Sequence, residues 1–178
     1  MKRLTLLFAA VALTGLVGAR AVEAQVRFGL AGGMSLPQGD AGDLFESGFH
    51  GQVMLGFGMI ALPVKLRADL SYHNFAAKDD GLLIDSDDEL RVISGALNGI
   101  ATMGGIGVKP YLTGGIGLYN SEISDVESET DFGINGGIGL EFSLTGLSAF
   151  LEVRYVNVFV GDDAADISLV PITFGLMF

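Results

Sequence analysis

The alternation of large apolar with small or polar side chains in residues 167–178 is the feature that most constrains the fold of this chain. Because side chains in a β-strand point to opposite faces in turn, the segment "ISLVPITFGLMF" predicts a strand with one apolar face. Such a face running to the last residue is unusual in a water-soluble domain, where termini fray. It is expected where the last strand pairs with the first and closes a barrel in lipid, leaving no unpaired edge. The large positions are Ile172, Phe174, Leu176 and Phe178, and those between them are Pro171, Thr173, Gly175 and Met177.

Residues 1–24 have the pattern of a secretory signal peptide. Lys2 and Arg3 give a basic start, an apolar run follows from Leu4 to Val17, and the segment ends on the small residue Ala24. The alternative is an N-terminal membrane helix, but the run is shorter than the roughly 20 residues that a span needs. We expect cleavage after Ala24, with residues 25–178 forming one barrel domain.

The composition combines two properties that a water-soluble domain rarely shows together. Hydrophobic residues make up 49% of the chain and the mean hydropathy is +0.50, yet the formal net charge is −11. No stretch after the signal peptide has 18 consecutive apolar residues, so we expect alternating strands that are apolar outside and polar inside. The acidic balance argues against nucleic-acid binding, and the absence of cysteine excludes disulfides and thiolate metal sites.

Eight alternating segments predict the fold class: an all-β, eight-stranded antiparallel up-and-down transmembrane β-barrel. Each segment is near the 9–11 residues of a tilted membrane strand. The connections after the second, fourth and sixth segments are short, and the others are longer and acidic. Short periplasmic turns and long extracellular loops are typical of bacterial outer-membrane barrels. The predicted strands are 26–36, 48–59, 64–75, 90–102, 106–119, 131–142, 149–159 and 167–178.

The charges divide between the loops and the strands. Nearly all carboxylates after residue 24 fall in or beside the four long connections, whereas most basic residues fall within strands. A lysine or arginine on the lipid face near the midplane costs about 2–4 kcal/mol, so the strand charges should point inward and pair. We expect a structural ion-pair plug; a narrow pore or proton path is the alternative. The predicted lumen network is Lys65, Arg67, Asp69, Lys109, Glu141, Glu152 and Arg154.

The turn centres predict a register in which inward glycines face long charged side chains and give them room to cross the lumen. Turns centred on 61–62 and 145–146 would place these pairs opposite each other: Gly56 and Arg67, Gly58 and Lys65, Gly139 and Glu152, and Gly137 and Arg154.

The strand segments resemble the OmpA/OmpX-like outer-membrane β-barrel domain of bacterial envelopes. The resemblance lies in "VKPYLTGGIGLY", "FGINGGIGLEF", "FLEVRYVNVF" and "VPITFGLMF", and it covers essentially all of residues 25–178. It implies a place in the bacterial outer membrane with the long loops extracellular, and we expect a monomer in contact with lipid and lipopolysaccharide. It also implies recognition by the barrel-assembly machinery through the C-terminal aromatic strand, here Phe174, Leu176 and Phe178. The function expected from it is non-enzymatic, either structural in the envelope or surface interaction through the acidic loops.

Two other kinds of site are alternatives. Some eight-stranded barrels modify lipopolysaccharide, and Asp69, Ser71 and His73 share one strand face as an acid, a nucleophile and a base. Steps of about 7 Å between alternate residues are too long for a hydrogen-bonded relay without partners from other strands.

The predicted register also sets His50 opposite His73, which we interpret as a polar pair because further metal ligands are not evident. We therefore expect no catalytic residue, metal or cofactor. The carboxylates of "DDGLLIDSDDE" lack the spacing of a calcium-binding loop and predict a solvated, self-repelling loop. The alternative is that divalent cations bridge these carboxylates to lipopolysaccharide as a diffuse electrostatic effect.

Overall fold

A computed structural model of the protein describes residues 25–58, 64–78, 89–123, 128–161 and 166–178. The predicted signal peptide and the acidic residues 79–88 lie outside these ranges. The strands are β1 Gln25–Gln38, β2 Gly48–Gly58, β3 Val64–Ala76, β4 Glu89–Thr102, β5 Val108–Ile123, β6 Glu129–Leu144, β7 Leu147–Phe159 and β8 Ile167–Met177, and one short helix, α1, spans Asp40–Leu44.

The eight strands form a closed barrel in which each strand pairs with its sequence neighbours. All eight pairings are antiparallel, and β1 closes on β8 over a ladder from Gly29 opposite Met177 to Gln38 opposite Ser168. The predicted up-and-down barrel is confirmed. Full closure satisfies the backbone hydrogen-bonding groups that an open sheet edge would leave unpaired in lipid.

The strand boundaries differ most from prediction around the connection between β5 and β6. β5 continues to Ile123 and β6 begins at Glu129, so both strands extend into the predicted third loop. Glu122 and Glu129, which fall between the predicted strands 106–119 and 131–142, therefore lie in strands. A strand that projects beyond the membrane into water can carry carboxylates without the cost of burying them in lipid.

The two ends of the barrel differ in their connections. At one end, which we call the turn end, β6 and β7 are joined by Thr145 and Gly146 alone, and Gly146 has φ 83°. That left-handed conformation is readily available only to glycine and permits the tight hairpin. The opposite end, the loop end, carries the longer connections, including α1, which the sequence pattern did not predict.

The outer surface of the barrel is apolar. Large side chains at every second position are exposed, as Leu70 on β3, Ile138 on β6 and Phe174 on β8 illustrate. The charged partners on β3, Arg67 and Asp69, are buried inside, which is the facing predicted from alternation. Among the described residues, no helix has the length and apolar character needed to cross a membrane.

The lumen is polar only in part, which corrects the expectation of a polar interior. Its loop end contains buried apolar side chains, which we call the loop-end cluster. Burial of such side chains away from water stabilises the fold. The cluster comprises Phe45, Phe75, Ala77, Leu90, Val92, Tyr119, Val156, Val158 and Leu169.

The segment after β1 packs onto this cluster from above. Phe45 is buried and forms an isolated bridge with Ala77. The Glu46 amide donates to the Ala76 carbonyl and the Lys78 amide donates to the Leu44 carbonyl, each at 2.9 Å. The first loop is therefore fixed to the end of β3 and covers the loop end of the lumen.

Candidate functional site

The middle of the lumen is crossed by a set of buried ion pairs centred on Arg67. Its Nε donates to Asp69 Oδ1 at 2.8 Å, and its Nη2 donates to both carboxylate oxygens of Glu152 at 2.8 and 3.0 Å. The three side chains are at most 4% exposed. Because β3 and β7 are not neighbours in the sheet, the Arg67–Glu152 contact spans the barrel interior.

Arg154 completes this network from β7. Its Nη1 donates to Asp69 Oδ2 at 3.0 Å and its Nη2 to Gln52 Oε1 at 3.1 Å. Its Nε lies 2.8 Å from Glu152 Oε1, an ion-pair contact without hydrogen-bond geometry. Two arginines thus face two carboxylates, so the buried charges balance, as a water-poor interior requires.

Lys65 and Lys109 lie nearer the turn end and differ in their contacts. Lys65 Nζ is 3.4 Å from Glu141 Oε2, and the lysine is partly exposed. Lys109 is opposite Glu141 in the β5–β6 register, but it makes no ion pair with the described residues. Six of the seven residues proposed from the sequence are therefore joined in ion pairs, and Lys109 is not.

Glycines lie opposite side chains of the network at three of the four predicted positions. Gly137 faces Arg154 and Gly139 faces Glu152, as predicted. A Cβ at Gly139 would overlap the Tyr111 ring, whose hydroxyl donates to Glu152 Oε2 at 2.8 Å. Gly56 is opposite Arg67, also as predicted, whereas the described β2–β3 ladder ends before Gly58 and Lys65.

Sequence reasoning missed three neutral members of the network. Tyr111 and Asn98 both donate to its carboxylates, the latter to Asp69 Oδ2 at 2.8 Å, and Gln52 accepts from Arg154. Each occupies an inward position of its strand, so the alternation that exposes Leu97 and Leu112 would have identified them. Their partners, however, lie on strands that are distant in sequence.

A second polar cluster lies between the ion pairs and the loop-end cluster. Ser35 Oγ is 3.0 Å from His50 Nδ1 and 2.8 Å from His73 Nδ1, and His50 Nε2 is 2.9 Å from Thr173 Oγ1. The two imidazoles stack with centroids 5.0 Å apart, which agrees with the predicted pairing of β2 and β3. Ser35 has one hydroxyl proton, so it donates to one histidine and accepts from the other.

The catalytic alternative from β3 is not assembled. Ser71 Oγ accepts from Ser94 Oγ at 3.3 Å, whereas His73 is bonded to Ser35 and Asp69 to the arginines. Ser71 therefore has no hydrogen bond to the base or the acid that we assigned to it. In the part of the chain that the structure describes, no three or more histidine, cysteine or carboxylate side chains form a group that could hold a metal ion.

The C-terminal aromatic strand is paired on both sides. Phe174 and Phe178 are exposed on the outer surface, and the Phe178 amide donates to the Phe28 carbonyl at 2.7 Å. Leu176 is opposite Leu30 on β1 and Ala149 on β7. The three residues proposed as an assembly signal therefore form part of the seam where the barrel closes.

The closed eight-stranded barrel agrees with a known family. The sequence pattern of the family described as "Outer membrane protein beta-barrel domain" matches residues 6–178. The chain belongs to this family. It is an OmpA/OmpX-like barrel of the bacterial outer membrane, and the family rule places the turn end in the periplasm and the loop end outside the cell. No curated protein matches the sequence.

Solved structures with the same fold share little sequence with the chain. Neisserial surface protein A is similar with a TM-score of 0.66 at 14% identity, covering 85% of this chain and 95% of that one. Ail, the attachment invasion locus protein of Yersinia pestis, was solved with the heparin analogue sucrose octasulfate. It has a TM-score of 0.55 at 14% identity, with coverage of 87% and 99%. The outer membrane enzyme PagL has a TM-score of 0.56 at 18% identity, with coverage of 84% and 97%. At these identities the likeness concerns the fold.

Proposed function

We propose that the protein is a non-enzymatic, monomeric outer-membrane barrel with a structural or surface-interaction role, exerted through its acidic extracellular loops. The observation that carries the proposal is the dense packing of the middle and the loop end of the lumen. The side chains of Arg67, Asp69, Glu152 and Arg154 are at most 7% exposed, and the loop-end cluster lies above them. Such packing supports a plugged lumen. A barrel that passes no solute would act through its loops and its outer surface.

Recording currents across a planar bilayer tests the plug. The purified protein should give no steady single-channel steps, whereas a porin in the same bilayer should conduct. Reproducible steps from the protein would replace the plug with the narrow-pore alternative. The loop-end cluster strengthens the expectation of no conductance, because an ion crossing it would have to lose its hydration beside apolar side chains.

The acidic loop end supports an interaction with lipopolysaccharide bridged by divalent cations. Asp40 and Asp43 lie on α1, and Glu46 follows it, so three carboxylates occupy the segment that covers the lumen. Replacing all three by Asn or Gln should reduce calcium-dependent binding of the protein to lipopolysaccharide vesicles. A matched change of Glu141, at the turn end, to Gln should leave this binding unaltered. Equal, calcium-independent binding by all three proteins would contradict the loop role.

The second candidate is a lipopolysaccharide-modifying enzyme, favoured by the likeness to the outer membrane enzyme PagL and by the Ser35–His50 contact. Ser35 is fully buried, so a lipid ester would have to enter the lumen to reach it. We expect the mass of lipopolysaccharide to stay unchanged after incubation with the protein. Loss of an acyl chain that disappears in Ser35→Ala or Ser71→Ala, but persists in Ser143→Ala at the turn end, would establish the enzyme.

Two processing roles complete the proposal. Residues 1–24 are a signal peptide, which supports export, and the mature N-terminus should be Gln25 by mass spectrometry.

Phe174, Leu176 and Phe178 are the assembly signal read by the barrel-assembly machinery. Phe178→Ser should lower the amount of folded barrel in the outer membrane, whereas Phe159→Ser, also exposed but outside the C-terminal strand, should lower it less. Equal loss in both variants would remove the special role of the C-terminus.

A further inference from the structure

The turn end of the lumen contains a cavity that the ion-pair plug does not fill. Its volume is about 140 Å³, close to the roughly 150 Å³ of an engineered protein cavity that takes up benzene. The lining has a charged part and an apolar part. Arg27 and Lys65 contribute positive charge, and Ile100, Phe150 and Met177 contribute apolar surface. A cavity of this size and lining fits a compact organic molecule.

Arg27 differs from the other lumen arginines in its partners. Both of its hydrogen bonds come from Nη2, to Ser148 Oγ at 3.0 Å and to the Met177 carbonyl at 2.9 Å. These acceptors are neutral, and no carboxylate among the described residues forms an ion pair with Arg27. Arg67 and Arg154, by contrast, contact carboxylates at 2.8–3.0 Å. Arg27 is therefore a partly buried cation that forms no ion pair with the described residues.

The remaining charges around the cavity do not cancel this one. Glu141 lines the cavity, but it is in ion-pair contact with Lys65. The charge on Arg67 is matched by Asp69 and Glu152 deeper in the lumen. The positive charge of Arg27 is thus left over, and its Nε and Nη1 make no hydrogen bond to the described residues. Because Nη2 already donates to Ser148 and Met177, a carboxylate would accept one charge-assisted hydrogen bond, from Nε or from Nη1.

We propose that this cavity binds a small aromatic carboxylate, with Arg27 holding the carboxylate and the apolar wall holding the ring. Phe150 is buried and Met177 is half-buried, so the ring would lie against side chains that water hardly reaches. A phospholipid headgroup fits less well, because its glycerol and phosphate oxygens would face this apolar wall without partners. The site is independent of the loop role proposed above.

The ligand would enter from the periplasm. The cavity is at the turn end, which the family orientation places on the periplasmic side. The ion pairs and the loop-end cluster separate it from the outside of the cell. Binding would therefore require neither passage through the barrel nor movement of the loops, and a barrel without conductance can still bind the ligand.

Titration with benzoate tests the proposal on the full mature protein in micelles of a neutral detergent. We expect saturable binding by calorimetry, accompanied by shifts of the Ile100 and Met177 methyl resonances. Benzyl alcohol, which keeps the ring and lacks the charge, should bind at least about tenfold more weakly, as loss of a charge-assisted hydrogen bond implies. Absence of saturable benzoate binding, or equal affinity for the alcohol, would overturn the proposal.

Arg27→Gln is the decisive variant and should weaken benzoate binding at least about tenfold. Arg91→Gln is its matched control, because Arg91 is exposed at the loop end and pairs with Glu89. That control should bind benzoate as the natural protein does. If Arg27→Gln does not fold, Phe150→Leu, which reshapes the wall and keeps the charge, should alter the affinity ratio of benzoate to acetate. An unchanged ratio, or benzoate displacement by glycerol phosphate at equal concentration, would contradict the aromatic-carboxylate site.

Discussion

The ring of Tyr111 occupies the space where Gly139, on the neighbouring strand, would carry a side chain. A Cβ at Gly139 would overlap the ring and its hydroxyl, which donates to buried Glu152. The glycine is thus a steric condition for the ion-pair network. A glycine in the interior of β6 weakens that strand, but the network depends on the space that the missing side chain leaves.

Gly139→Ala should destabilise the barrel by about 1–3 kcal/mol, because the added methyl forces Tyr111 away from Glu152. Gly136→Ala is the matched control, since a Cβ at that outward glycine has only the Thr113 carbonyl oxygen within 4.0 Å. The control should be neutral or slightly more stable, by up to about 1 kcal/mol. Urea unfolding in phospholipid vesicles, followed by circular dichroism, measures both. Equal stability of the two variants would show that the Gly139 space is unimportant.

Ser35→Ala should cost about 1–3 kcal/mol, because it leaves ring nitrogens of His50 and His73 without a partner in the lumen. The chain has two histidines, so imidazole ¹⁵N spectra report on this cluster alone. We expect the Nδ1 signals of both rings to move in Ser35→Ala and to stay in place in Ser143→Ala, a change at the exposed end of β6. Unmoved signals in Ser35→Ala would mean that the hydroxyl does not join the rings.

Phe45→Ala should release the first loop from the barrel. Truncation of a buried phenylalanine costs about 3–5 kcal/mol, more than a single loop contact can replace. The amide protons of Glu46 and Lys78, which bond across to Ala76 and Leu44, should then exchange at least about tenfold faster. Phe49→Ala, at an exposed position on β2, should not change these rates. Similar exchange in both variants would show that the loop is held by other contacts.

The strands and their facing could be predicted because a closed barrel imposes a period of two on every strand. Short turns then set the register, which is why the pairing of Gly137 with Arg154 followed from one two-residue hairpin. The inward orientation of the charged side chains followed from the cost of placing lysine or arginine in lipid. Alternation and the exclusion of charges from lipid apply to each strand by itself. The register set by a short turn relates only residues that are near in sequence.

The contribution of Phe45 to the loop-end cluster and the serine–histidine contact could not be predicted in this way. Phe45 reaches the lumen from a connection, and alternation has no meaning outside strands. Ser35 on β1 contacts His50 on the neighbouring β2 and His73 on β3, one strand further, so its role depends on side-chain conformations inside a narrow lumen. The cavity beside Arg27 likewise depends on which charges find partners, and partner choice is set by three-dimensional distance.

The most direct test of the central claim, a lumen closed by buried ion pairs, is the coupling energy between Arg67 and Glu152. Arg67→Met and Glu152→Met should each destabilise the barrel by about 3–5 kcal/mol, since each leaves a buried charge uncompensated. The double variant should lose less than the sum, with a coupling of at least about 1.5 kcal/mol. The exposed pair of Arg91 with Glu89 should show a much smaller coupling in the same cycle, because solvent screens the two charges. Additive losses at Arg67 and Glu152, within about 0.5 kcal/mol, would contradict a lumen built around their contact.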